Sequence, residues 1–219
     1  MNTPMPMNQT LLPSGRCAGG GGWQAQFACP EGWLGSLTGQ LMAVKNDAMN
    51  RFAVEQLALQ PGDQVLEIGF GPGKTIQLMA EQAPQTFVAG VDLSLTMVTQ
   101  AARRNQRFIK AGRVQLQQGT VSNLPFEYGR FTKVVAVNNY QFWPNPELDL
   151  TEIQRVMSPD ARLVLGLRLH SANRLALAPG FKEEEVAEIA GLVRWVGFHD
   201  VRIERRQLGR EVVCILATR

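Results

Sequence analysis

The stretch VLEIGFGPGKT, Val65–Thr75, decides how the chain is read. A short apolar run passes into a glycine-rich turn, the layout of a strand leading through a loop into a helix. Its ending, Gly73-Lys74-Thr75, is that of the phosphate-cradling pattern G-x-x-x-x-G-K-[ST]. That pattern places glycine at position 68, which is Ile68, and only three residues separate Gly69 from Gly73. The dinucleotide pattern G-x-G-x-x-G requires glycine where Lys74 stands. Both phosphate patterns miss by one position.

Charge separates the remaining readings. Glu67 closes the apolar run, and an anion there repels an approaching phosphate while favouring a cation. S-adenosylmethionine carries a sulfonium and an α-ammonium, with one carboxylate that suits the amide end of the helix after Gly73. A second acidic residue, Asp92, ends the strand-like run VAGVD about twenty residues beyond the loop, where a carboxylate can accept both ribose hydroxyls. A nicotinamide dinucleotide uses the same device, so the combination of Glu67 with Asp92 carries the reading rather than Asp92 alone.

Outward from the loop the chain alternates. QVLEIGF, FVAGVD, RVQLQQG, KVVAVNN and ARLVLGLRL read as strands. KTIQLMAEQA, SLTMVTQAARRNQ (capped by Ser94), PELDLTEIQRVM (opened by Pro146) and KEEEVAEIAGLVRWV read as helices. DVRIERRQL and REVVCILAT form a terminal antiparallel pair. The expected fold is α/β, a doubly wound, mostly parallel seven-stranded sheet covered on both faces, with a C-terminal antiparallel pair and an N-terminal helical lid. Residues 1–33, rich in Met, Pro and Gly, read as a flexible lead-in; 34–60 as a helical cover; 61–219 as the ligand-binding domain.

VLEIGFGPGKT, VAGVDLSLTMVTQAARRN, VQLQQGTVSNLPF and FTKVVAVNNYQFWPNP…EIQRVMSPDARLVL, taken in order, resemble the successive motifs of class I S-adenosylmethionine-dependent methyltransferases. The likeness is greatest to the small-molecule branch near the ubiquinone/menaquinone-type enzymes. The resemblance implies that Glu67, Gly69, Phe70, Gly71, Gly73 and Thr75 hold the methionine end of S-adenosylmethionine and Asp92 its ribose. It implies further that Leu93 and Met97 flank the adenine, Thr120 and Val121 meet its edge, and the backbone near Asn138 accepts the α-ammonium. Three positions depart from the family pattern: Thr120 and Thr132 stand where acidic residues are common, and SPDARL replaces a Pro-Gly-Gly turn.

Methyl transfer from a sulfonium needs alignment first, and a base only where the acceptor must lose a proton. His170, at the end of the fifth strand, is the candidate base, with Tyr140 the second catalytic candidate. Tyr140, Phe142 and Trp143 are candidates for an aromatic wall beside the transferred methyl. Met42, Asn46 and Asn50 recur on one helical face, with Asn46 a candidate substrate contact. The segment SANRLALAPGF is a second candidate cover.

The formal net charge of +3 is mild, and Arg202, Arg205, Arg206 and Arg210 fall in the terminal strand pair, where a solvated sheet edge accounts for them. A nucleic-acid partner is therefore not expected. Three cysteines with no CxxC pair and only two histidines argue against a structural metal and for reduced thiols. With no apolar run long enough for a bilayer and no signal-peptide pattern, a cytoplasmic location is expected, with monomer and homodimer both open.

Overall fold

The computed structural model describes residues 47–170 and 180–219. Its elements in chain order are α1 (Asp47–Leu57), β1 (Gln64–Ile68), α2 (Lys74–Gln82), β2 (Phe87–Asp92), α3 (Leu95–Arg104), α4 (Gln106–Lys110) and β3 (Val114–Gln118). There follow β4 (Phe131–Val137), a 3-10 turn (Tyr140–Phe142), α5 (Pro146–Val156), β5 (Met157–Arg168), α6 (Glu183–Trp195), β6 (His199–Leu208) and β7 (Arg210–Thr218). All seven strands join one sheet in the order β3-β2-β1-β4-β5-β7-β6. The first five in that order are mutually parallel, and β7 runs antiparallel to both β5 and β6. Strand order reverses between β1 and β4, so the loops after those two strands open at the switch point, where open α/β sheets receive ligands.

The parallel strands are apolar on both faces because helices cover both. Val65, Val88, Val135, Val164 and Cys214 pack on one side with α1, α2 and Phe108 of α4. Leu66, Val91, Val134, Leu163 and Ile215 pack on the other with α5 and α6. α1 lies along β5: the Arg162 guanidinium donates to the Gln56 carbonyl at 3.1 Å, and Met49 and Ala53 face Gly166. Its amino end therefore points to the carboxyl edge of the sheet. Residues 34–46, including Met42 and Asn46, lie outside the described residues, as does 171–179.

Two expectations are corrected. The helix expected over SLTMVTQAARRNQ forms with Ser94 as its cap but ends at Arg104, and a separate short helix, α4, follows from Gln106. Asn105, fully buried between them, donates its side-chain amide to the carbonyls of Gly73 (3.0 Å) and Ala101 (2.9 Å), offering the chain an alternative to an uninterrupted helix. SPDARL is not a turn that precedes a strand, because β5 already begins at Met157. Phe131 pairs with Met157 and Lys133 with Arg162, so the extra residues form an irregularity with Asp160 in the left-handed region, φ 59°. Buried Met157 and Ala161 pin the segment on both sides of it. Among the described residues no helix is long and apolar enough to cross a membrane.

Candidate functional site

The loop after β1 is sewn to the end of β2. Gly69 N–H donates to the Val91 carbonyl (2.7 Å), and Gly71 N–H to Asp92 Oδ2 (2.7 Å). Asp92 Oδ1 accepts from Ser94 N–H (2.9 Å), so one carboxylate orients both loops. Gly69 and Gly73 have φ of 69° and 76°, and neither has room for a side chain. A Cβ on Gly69 would stand 1.8 Å from Asn139 Nδ2, and one on Gly73 2.6 Å from Ala101 Cβ. α2 begins at Gly73 with no side-chain cap, leaving its first amides directed at the loop.

Glu67 lies beneath this loop, 2 % exposed, with no hydrogen-bond partner on Oε2 among the described residues. Burial pushes its carboxyl well above the ordinary carboxylate range; the Thr75 hydroxyl and Ile76 amide pull it down, and neighbouring Asp92 pushes it further up. Asp92 is also raised by burial, against the lowering effect of the Ser94 and Gly71 amides. Two acidic groups held close together and out of water make a place where a cation lowers the energy of both. Thr75 is buried against Glu67, whereas the Phe70 side chain lies in the core under Gly90. Phe70 thus meets the loop through its backbone, its carbonyl accepting from Gly73 N–H at 3.0 Å.

The neighbouring loops close round the same edge. After β2, Leu93 is half-buried and Met97 buried, with Ser94 Oγ accepting from Met97 N–H to start α3. After β3, Thr120 is exposed and Val121 buried. The fully buried Asp149 of α5 holds that loop, accepting from Ser122 Oγ (2.6 Å) and from Asn145 N–H (3.1 Å). After β4, Asn138 has φ 53°; its N–H donates to the Gly166 carbonyl (2.8 Å), and its own carbonyl accepts from Gln141 Nε2 (3.0 Å).

The aromatic candidates separate. Trp143 is buried, its indole N–H donating to Asn139 Oδ1 at 3.2 Å, and its ring lies 5.0 Å from that of Tyr140. Tyr140 is half-buried and also meets Phe181 at 6.1 Å, edge to face, while Phe142 is 43 % exposed. Burial, reinforced by the charge of Asp149, pushes the Tyr140 phenol up to about 12, so it keeps its proton near neutrality. His170 is exposed beyond β5, its backbone N–H bonded to the Phe181 carbonyl (2.8 Å). Asn50 is buried on α1, and Thr132, where relatives commonly carry an acid, donates to Asp63 Oδ1 (2.7 Å).

Asn139, Asp149 and Ser122 escaped the sequence reading, whereas Phe181 closes the segment SANRLALAPGF read as a second candidate cover. Asn139 donates to the Ile68 carbonyl (2.8 Å), latching the post-β4 loop to the first glycine. The signal for Asn139 was the doubled Asn at 138–139; nothing in spacing marks Asp149 or Ser122. A cavity of about 280 Å³ lined by residues 59–61 and 82–85 lies at the opposite, amino edge of the sheet and contains no ionisable side chain. Among the described residues no His, Cys, Asp and Glu group could hold a metal.

A family profile described as a methyltransferase domain matches residues 65–160. The chain is 29% identical over 183 residues to the uncharacterized methyltransferase YdaC of Bacillus subtilis, covering 83% of this chain and 97% of that one. It is 28% identical over 116 residues to the ubiquinone/menaquinone biosynthesis C-methyltransferase UbiE of Geotalea uraniireducens, covering 52% of this chain and 49% of that one. A solved S-adenosylmethionine-dependent methyltransferase from Aquifex aeolicus shares the fold, with TM-score 0.65, 18% identity and coverage of 77% and 88% of the two chains. With the seven-stranded order, the sewn glycine loop and the buried acidic pair, these likenesses agree: residues 65–160 carry a methyltransferase domain, and the whole supports a class I S-adenosylmethionine-dependent methyltransferase.

Proposed function

We propose that the protein methylates a small molecule with an aromatic or otherwise apolar body, held over the carboxyl ends of β4 and β5. The observation that carries the donor half is the buried, incompletely bonded Glu67 beside Asp92 at the switch point. S-adenosylmethionine supplies an activated methyl group on a sulfonium. Glu67 faces the cationic end of the donor, the open amides of α2 its carboxylate, and Asp92 its ribose hydroxyls. The Asn138 carbonyl, which has a second lone pair beyond its bond to Gln141, accepts from the α-ammonium. Leu93, Met97, Thr120 and Val121 border the adenine.

Chemistry then rests on alignment. The wall of Tyr140, Trp143 and Phe181 orients the acceptor for in-line displacement, an effect worth several kcal/mol when the reacting atoms are held in line. Tyr140 keeps its proton and acts as a hydrogen-bond donor, leaving His170 to take a proton where the acceptor has one to lose. Small size is favoured because two of the exposed arginines of β6 engage carboxylates of the fold: Arg205 pairs with Glu183 (2.7 Å) and Arg206 with Glu55 (2.6 Å).

The test is release of S-adenosylhomocysteine on incubation with S-adenosylmethionine and a library of phenols, amines, thiols and activated carbon acids. Acceptor-dependent release from library members, lost in Trp143→Ala with donor affinity kept, supports the reading. Methyl incorporation only into added RNA or protein would overturn it. Tight donor binding with no turnover of any acceptor would instead identify a donor-binding sensor or subunit.

A further inference from the structure

One side-chain amide joins the loop after β1 to the aromatic turn after β4, and the donor account uses neither of its bonds. β1 and β4 run as a parallel pair up to Ile68 and Ala136. Beyond that point they part: Gly69 N–H turns to the Val91 carbonyl of β2, and Asn138 N–H to the Gly166 carbonyl of β5. Divergence of this kind is what opens a crevice at the switch point. The Asn139 side chain reaches back across it, its Nδ2 donating to the Ile68 carbonyl at 2.8 Å. The same amide accepts, through Oδ1, from the Trp143 indole at 3.2 Å.

Gly69 makes room for this group, since a Cβ there would lie 1.8 Å from Asn139 Nδ2 and 2.8 Å from its Cγ. The first glycine therefore serves the amide as well as the turn. On the other side, Tyr140–Phe142 form a single 3-10 turn. Phe142 N–H donates to the Asn139 carbonyl (2.9 Å), and Trp143 N–H to that of Tyr140 (3.1 Å). One such turn has little stability of its own, so bonds at its ends help to set where its aromatic rings stand. Trp143 is buried, and the Tyr140 ring rests 5.0 Å from it. A neutral amide suits the position because it offers a donor to one side and an acceptor to the other.

We propose that Asn139 is a positioning residue that couples the donor and acceptor subsites. A donor seated on the glycine loop steadies the Ile68 carbonyl and, through the amide, fixes the Trp143 indole. Donor binding thereby sets the acceptor wall for alignment, and by linkage an ordered wall favours the loop geometry that holds the donor. This rests on the reading of Trp143 as part of the acceptor wall and deepens it, by making the donor a determinant of that wall's position.

Exchange of the indole N–H with solvent reads the bond directly. The full-length protein, carrying isotopically labelled tryptophan, is followed by NMR with and without saturating S-adenosylhomocysteine. Of the four tryptophan indole signals, that of Trp143 is the one lost in Trp143→Phe. Its exchange should slow about threefold or more when the ligand is bound, as binding shifts the amide toward its bonded arrangement. Asn139→Asp keeps an acceptor for the indole and loses the donor to Ile68, so the slowing should vanish while S-adenosylhomocysteine still binds. Asn139→Ala removes both bonds and should lose the slowing too, which keeps the test decisive where the charge of Asn139→Asp impairs folding or binding. A slowing that survives both substitutions would overturn the proposal, because direct contact or general stabilisation by the ligand then explains it. So would exchange at Trp143 that does not respond to bound ligand. Failure of S-adenosylhomocysteine to bind the unaltered protein, read by calorimetry, would remove the donor reading and this coupling with it. A mistaken acceptor wall, by contrast, shows in the Trp143→Ala turnover assay and leaves the exchange result standing.

Discussion

At the scale of single residues, Glu67 and Asp92 bear the functional argument. Asp92 accepts two amides and, in the proposed role, two ribose hydroxyls. Asp92→Ala should weaken S-adenosylmethionine binding by about 1.5–3 kcal/mol, read by titration calorimetry; an unchanged affinity would remove the ribose assignment. Glu67 links binding to pH. Its raised carboxyl means that the ligand-free protein holds this proton more tightly than the unfolded chain does. The stability this contributes is present below the ordinary carboxylate range and is lost as pH rises through the raised value. A cationic donor favours the ionised form, so its affinity should rise with pH across the same window, with proton release. Glu67→Gln should flatten that dependence and lower affinity at neutral pH; a pH profile that persists in the variant would assign it to another group.

At the scale of elements, the glycine loop is held by what it touches. Gly73→Ala would drive a Cβ into Ala101 of α3 (2.6 Å to its Cβ) at a left-handed φ, costing about 1–3 kcal/mol in urea unfolding. Gly71→Ala, with nothing within 4 Å of the new Cβ, should cost about 1 kcal/mol, from backbone strain alone. Equal losses for the two would show that packing between α2 and α3 is not what excludes a side chain at Gly73. The elements themselves were mostly legible. FVAGVD and REVVCILAT span the residues of β2 and β7, because buried strands read as apolar runs. The break at Asn105 was hidden because its cause is a bond to Gly73, thirty-two residues away in the chain. Likewise the acidic pair could be read from strand ends, whereas Asn139 and Asp149 act through partners that only the folded chain brings near.

At the scale of the whole molecule, a ligand that spans the loops after β1, β2, β3 and β4 couples its binding to global stability. S-adenosylmethionine at one hundred times its dissociation constant should add about 2.7 kcal/mol, raising the melting temperature by about 5–10 °C for a chain of this size. The same concentration of ATP should add little, because Glu67 and Asp92 oppose a polyphosphate at this edge. The sheet order, the open amides of α2 and the two buried carboxylates all converge on one claim, that the edge at the β1/β4 switch point receives a cationic methyl donor. Its most direct test is calorimetric titration of the full-length protein with S-adenosylmethionine, S-adenosylhomocysteine and ATP. The account predicts one site per chain for S-adenosylmethionine and S-adenosylhomocysteine, weakened about ten- to a hundredfold in Asp92→Ala, with no heat from ATP. Tight ATP binding with no response to either methyl-donor ligand would contradict it.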